Sequence, residues 1–253
     1  MAPAHPLTNA ARLLDGTIAA LDVTRDRWIW LTPDAARVLD TVLLHGTTAP
    51  LAEALSANGA DGADERRVHA VLRRAENALA ADGLLPPPPG TVPLPEAEPA
   101  TGPPAGTGRP RWRHRLPAAV GLALAVAAVK LLPLRWLLTV LATVRLLPPA
   151  RPDRAAALHD AVLSTRPGWW PGRLACLEVA TATVTACALT GRRVHLVLGA
   201  RPLPNEAHAW TMTPAGEAFG AHDPDRPWTP IHTTPRLPTH AVTRTGEFRV
   251  AES

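Results

Sequence analysis

Cys176, His208 and Asp223 stand in the chain in an order that suits a thiol nucleophile, its base and an orienting acid. Cys176 opens an Ala/Thr-rich stretch that reads as a helix to Leu189, with Gly191 as its stop. A thiol at a helix N-terminus feels the positive end of the macrodipole and exposed N–H groups, which lower its pKa. The same N–H groups can stabilise an oxyanion. His208 lies in Glu206–Met212, a predicted strand that follows the β-prone run Val194–Gly199. An imidazole across a cleft from the thiol can hold it as an ion pair and later protonate a leaving amine.

The acid that orients His208 is expected to be Asp223, the first aspartate after the turn at Ala215-Gly216, with Asp225 and Glu217 as rivals. His195, one strand earlier, is a less favoured base. Cys187 lies three helical turns beyond Cys176 and reads as core. His222, His232 and His240 fall in a Pro-rich tail and read as solvated; their spacing matches no common ligand set, so neither metal nor cofactor is expected.

The elements that must position these groups are bounded by composition. The chain has 253 residues, 46% hydrophobic and 19% charged, enough for two modest domains. Its 29 prolines cluster in 86–104 and 202–238 and mark where regular structure stops. The net charge of +4 is scattered Arg, which does not favour a nucleic-acid partner. Two cysteines without a CxxC pair exclude a disulfide scaffold, and the first residues lack a signal-peptide core, so a cytoplasmic setting is expected.

Thr17–Val23 and Arg27–Leu31 read as a hairpin about Thr24-Arg25-Asp26. Thr32-Pro33-Asp34 opens a helix with an N-cap, a proline at the first position and a favourable acid; His45-Gly46 closes it. Two further helices are predicted at Leu51–Leu55 and about Asp64–Ala81. The spacing predicts three units: 1–86, a Pro-rich spacer over 87–113, and 114–253. Within the last, Leu116–Leu147 is apolar but interrupted by Lys130, Pro133, Arg135 and Arg145. Two buried helices breaking near Pro133 are favoured over a membrane-associated hairpin at 116–147.

Ala175-Cys176-Leu177-Glu178, the run ending Val197-Leu198-Gly199-Ala200, and Ala207-His208-Ala209-Trp210 together resemble the transglutaminase-like B proteins of lasso peptide biosynthesis. Leu21-Asp22, Trp28–Leu31, the Thr-Pro-Asp-Ala helix start and Asp82-Gly83-Leu84-Leu85 are similar to the peptide-recognition domain related to the PQQ-biosynthesis chaperone. The resemblance implies an α+β fold: an N-terminal winged-helix-like peptide-recognition domain and a C-terminal papain/transglutaminase-like cysteine peptidase. It implies a leader peptidase using Cys176, His208 and an aspartate. The leader of a precursor peptide would add as a strand beside the third helix, at Arg27, Trp28, Trp30, Arg67, Val71 and Arg74. A separate ATP-dependent, asparagine-synthetase-like cyclase would act on the released core. Two departures from the family pattern bear on the acid: Asp223 lies slightly late, and Thr211-Met212 follows His-Ala-Trp where Val-Glu is common.

Two other readings stay open. One is a transglutaminase-type acyl transferase on the same site. The other is a non-catalytic module, bound to membrane through 116–147 or to DNA through the helix that carries Arg66, Arg67, Arg73 and Arg74.

Overall fold

The computed structural model describes residues 5–57, 62–86, 94, 112–165, 174–221, 223 and 225–235. Most of the proposed spacer, residues 166–173, His222 and His240 lie outside them.

The first segment builds an antiparallel sheet, β1 (Ala10–Arg12), β2 (Ile18–Asp22) and β3 (Arg27–Leu31), in that order. Asp22 closes the predicted hairpin by accepting from the backbone N–H groups of Thr24 and Arg25. Three helices follow: α1 (Pro33–His45), α2 (Ala49–Ala57) and α3 (Gly62–Ala81). Thr32 caps α1 by accepting from the Ala35 N–H, and Gly46 ends it at φ 70°, where glycine has no Cβ to clash.

The alternation of β2 and β3 splits their side chains between two cores. Ile18, Ala20, Ile29 and Leu31 pack with Leu39, Leu72 and Leu79 of the three helices. Ala19, Leu21, Trp28 and Trp30 point the other way, into the larger core of the C-terminal part. The register places Ala19 opposite Trp30 and Leu21 opposite Trp28, so these four share one face.

The C-terminal part contains α4 (Trp112–Leu131), α5 (Leu134–Ala142), α6 (Pro152–Ser164) and α7 (Cys176–Leu189). Its sheet is fully antiparallel, in the order β6 (Ala218–Phe219), β5 (Glu206–Met212), β4 (His195–Arg201), β7 (Thr229–Thr234). Helix α7 packs against α4, α6 and β5. The α4–α7 contact is close because Gly121 lacks a Cβ; one built there would lie 2.8 Å from the Ala182 carbonyl oxygen.

Pro133 separates α4 from α5 as expected, but the pair is not buried all round. Ala118, Leu122 and Ala125 are buried, whereas Leu116, Val120 and Leu124 are exposed. His232, expected in a solvated tail, instead sits in β7. Its Nδ1–H donates to Asn9 Oδ1 at 2.8 Å, and its Nε2 accepts from the Thr234 hydroxyl at 2.7 Å. That contact ties the last strand to the first segment.

Candidate active site

Cys176 occupies the first turn of α7, half-buried, where the backbone N–H groups have no partner within the helix. Glu178, one turn in, reaches back and accepts from the Ala175 N–H at 2.9 Å, fixing the chain as it enters the helix. His208 comes from β5, directly opposite Gly199 of β4. The glycine is obligatory. A Cβ at 199 would lie 2.3 Å from the Trp210 ring and 2.5 Å from the Thr229 carbonyl oxygen. Trp210, fully buried, therefore fills the space beneath the sheet that holds His208.

The thiol of Cys176 and the imidazole of His208 face each other closely enough that each shifts the titration of the other. The Nε2–H of His208 donates to the Gly220 carbonyl oxygen at 2.7 Å, which leaves Nδ1 for the thiol. Burial pushes the Cys176 thiol up from its ordinary 9.0. The bonds to His208, to the Ala209 backbone and to the Leu177 backbone outweigh it, so the thiol lies below that value. Burial likewise pulls His208 down from 6.5, yet its bonds to Cys176 and Gly220 raise it above. Both shifts favour a thiolate–imidazolium pair.

The orienting acceptor is thus a backbone carbonyl, and the expectation for Asp223 needs correction. One Asp223 oxygen binds Nη1 of Arg201 and the other accepts from the Arg226 N–H at 3.2 Å. The guanidinium holds the carboxyl below its ordinary value. Arg201 also donates to Glu206 Oε2 at 2.6 Å and lies 4.0 Å over the ring of Trp228. Trp228 in turn stacks on His208, centroids 4.6 Å apart. Asp223 therefore reaches the imidazole only through Arg201 and Trp228. The physical reason is local: Gly220, at φ 88°, turns the chain after β6 and presents its carbonyl to the ring before residue 223 is reached. Glu217 is exposed in the turn before β6, and Asp225 is exposed beyond it.

His195 is removed as a base by position. It pairs with Met212 at the far end of β5, is buried, and its Nδ1 faces the Pro235 carbonyl. Cys187 is fully buried, and burial pushes its thiol up to about 12, as befits a core residue. Arg201, Gly220 and Trp228 were not anticipated. Trp228 had a readable signal, an isolated aromatic in a Pro-rich stretch; a carbonyl acceptor has none.

The six residues expected to bind a leader fall in two places. Arg27, Trp28 and Trp30 are on β3, the end strand of its sheet, where Arg27 pairs with Asp82 at 3.1 Å. Trp28 and Trp30 stack at 6.0 Å and pack partly against the C-terminal core, so their outward freedom is limited. Arg67, Val71 and Arg74 are all exposed on α3 at a spacing that sets them on one face.

Residues 118–233 match the model of the Transglutaminase-like superfamily. No curated protein and no solved structure matches the chain. The match takes in Cys176, His208, Gly220 and Trp228 and leaves the first sheet and α1–α3 outside it. The C-terminal part of this protein, mixed helix and sheet, is a transglutaminase-like domain.

Proposed function

We propose that the protein is a leader peptidase acting on a ribosomally made precursor peptide. The observation that carries this reading is the Cys176–His208 pair at the start of α7, inside a transglutaminase-like domain. Cys176 Sγ attacks the carbonyl carbon of the leader–core amide. The N–H groups at the head of α7 face the oxygen as it becomes an anion. His208 gives its proton to the departing amine, which leaves as the N-terminus of the core. The leader remains as a thioester on Cys176. Water, deprotonated by His208, then attacks it and releases the leader carboxylate and the free thiol.

The end position of β3 in its sheet, among the described residues, and the exposed face of α3 support recognition by strand addition. Main-chain bonds would give affinity, and Arg67, Val71 and Arg74 selectivity. The three motifs around Cys176, Gly199 and His208 support lasso peptide maturation as the setting, with an ATP-dependent cyclase closing the released core. The superfamily match also favours one other reading: an amine rather than water resolves the thioester.

Mass spectrometry of a leader-bearing precursor incubated with the protein separates these readings. Two fragments that regenerate the free enzyme are expected, with none from Cys176→Ala and with leader affinity unchanged in that variant. A product carrying an added amine selects the transferase. Turnover by Cys176→Ala removes the thiol from the mechanism.

A further inference from the structure

Helix α4 is apolar on all sides from Leu116 to Val129 and, at 20 residues, long enough to cross a bilayer, yet only 22% of its most apolar stretch is buried. A helix apolar on all sides is normally covered on all sides. Here one face, with Ala118, Gly121, Leu122 and Ala125, is committed to the protein. The other carries Trp112, Leu116, Val120 and Leu124 at 85%, 73%, 40% and 51% exposure. These four recur every fourth residue, a slowly winding ridge about 18 Å long. Its inner face packs closely on Ala182 and Ala186 of α7, which suits a helix that stays with the domain rather than one that spans a bilayer alone.

The charge on α4 and on the chain that follows it to Pro152 is of one sign. From Trp112 to Pro152 the chain has six Lys or Arg and no Asp or Glu. All six are exposed: Arg113 and Arg115 beside the start of the ridge, Lys130 at the end of α4, then Arg135, Arg145 and Arg151. An exposed apolar ridge with a tryptophan at one end, on a segment whose charges are all cations, is what an anionic bilayer surface selects. The apolar side chains enter the headgroup boundary while the cations meet lipid phosphates.

We propose that the protein docks peripherally on an anionic membrane leaflet through the outer face of α4, with the domain remaining folded on the surface. This goes beyond the peptidase reading and does not depend on it. It places leader cleavage at a membrane, where a released core peptide meets the lipid phase at once.

Flotation of the full chain with lipid vesicles tests the docking. Phosphatidylcholine vesicles are compared with vesicles in which roughly one third of the lipid is phosphatidylglycerol. Binding to the anionic vesicles is expected to exceed that to neutral ones by at least about tenfold and to fall steeply with added salt. The pair Leu116→Asp and Leu124→Asp should reduce binding to the neutral-vesicle level, while circular dichroism and the alkylation rate of Cys176 stay unchanged. Should that pair disturb folding, Arg113→Gln with Arg115→Gln should still lower anionic-vesicle binding roughly 25-fold, at about fivefold per cation. Equal binding to both vesicle types, or binding indifferent to all four changes, overturns the proposal. So does a lipid-free dimer that the Leu116 and Leu124 changes dissociate, which would make the ridge a protein–protein face.

Discussion

At Cys176 two pulls oppose each other, and the polar one wins: burial favours the thiol, while His208 and two backbone groups favour the thiolate. His208 can serve because each ring nitrogen has one partner, the thiol and the Gly220 carbonyl. A carbonyl accepts the Nε2–H and fixes tautomer and ring plane as a carboxylate would, but adds no full negative charge to the imidazolium. Asp223 acts one step removed, neutralising Arg201 where it lies over Trp228. Asp223→Ala is therefore expected to cost far less than the roughly 10²–10⁴-fold of a direct triad member. It should also leave Arg201 less neutralised, which lowers the His208 pKa, because Arg201 already disfavours the imidazolium. Steady-state kinetics together with an NMR titration of His208 read both effects. A triad-sized loss together with a large fall in the His208 titration would mean that Asp223 reaches the ring directly.

Among the elements, α7 and the β4–β5 pair hold the nucleophile and base in register, and Gly199 is where that register is most tightly constrained. Gly199→Ala should destabilise the domain by about 1–3 kcal/mol or more, since the Trp210 ring and the Thr229 carbonyl leave no room for the methyl group. A lowered denaturant midpoint at unchanged slope is the expected reading. Much of this scale was legible in the residues. The Thr32-Pro33 start of α1, the hairpin about residues 24–26, the apolar run of β4 and the helix from Cys176 all follow from caps, periodicity and propensity. Strands β1 and β7 were not legible, for a physical reason. Ala-Ala-Arg has no β-branched residue, and Thr229–Thr234 contains a proline, so both owe their form to non-local pairing. The Gly220 acceptor was hidden because a main-chain oxygen belongs to every residue alike. Asp223 is an acid of suitable type and position in the sequence, and only the turn at Gly220 shows that another group arrives first.

Across the whole molecule, the face of the first sheet that carries Leu21, Trp28 and Trp30 shares its core with α4–α7, and Asn9 bonds to His232. The two parts therefore meet through packed surface, which would give a leader bound at β3, as proposed, a fixed relation to Cys176. Within the shared interior His159 is 4% exposed; its Nδ1 contacts the Thr183 hydroxyl at 3.2 Å, and burial lowers its pKa to about 4. Between that value and the ordinary 6.5 the unfolded chain binds the extra proton, so stability must rise with pH across the window and be lost as pH falls through it. The gap is worth about 3 kcal/mol. Urea unfolding at several pH values should show this slope, and His159→Leu should flatten it; an unchanged slope in the variant would place the acid sensitivity elsewhere.

The activation of Cys176 by His208 underlies the proposed chemistry, and it can be measured without knowing the substrate. The rate of iodoacetamide alkylation is followed against pH, with peptide mass mapping to separate Cys176 from the buried Cys187. Cys176 should label with a titration below the ordinary 9.0, and Cys187 should stay protected. In His208→Gln the Cys176 titration should rise, because burial then acts with its strongest opponent gone. A Cys176 thiol that titrates at or above 9.0 in the unaltered protein, or one that is indifferent to His208→Gln, would contradict the account.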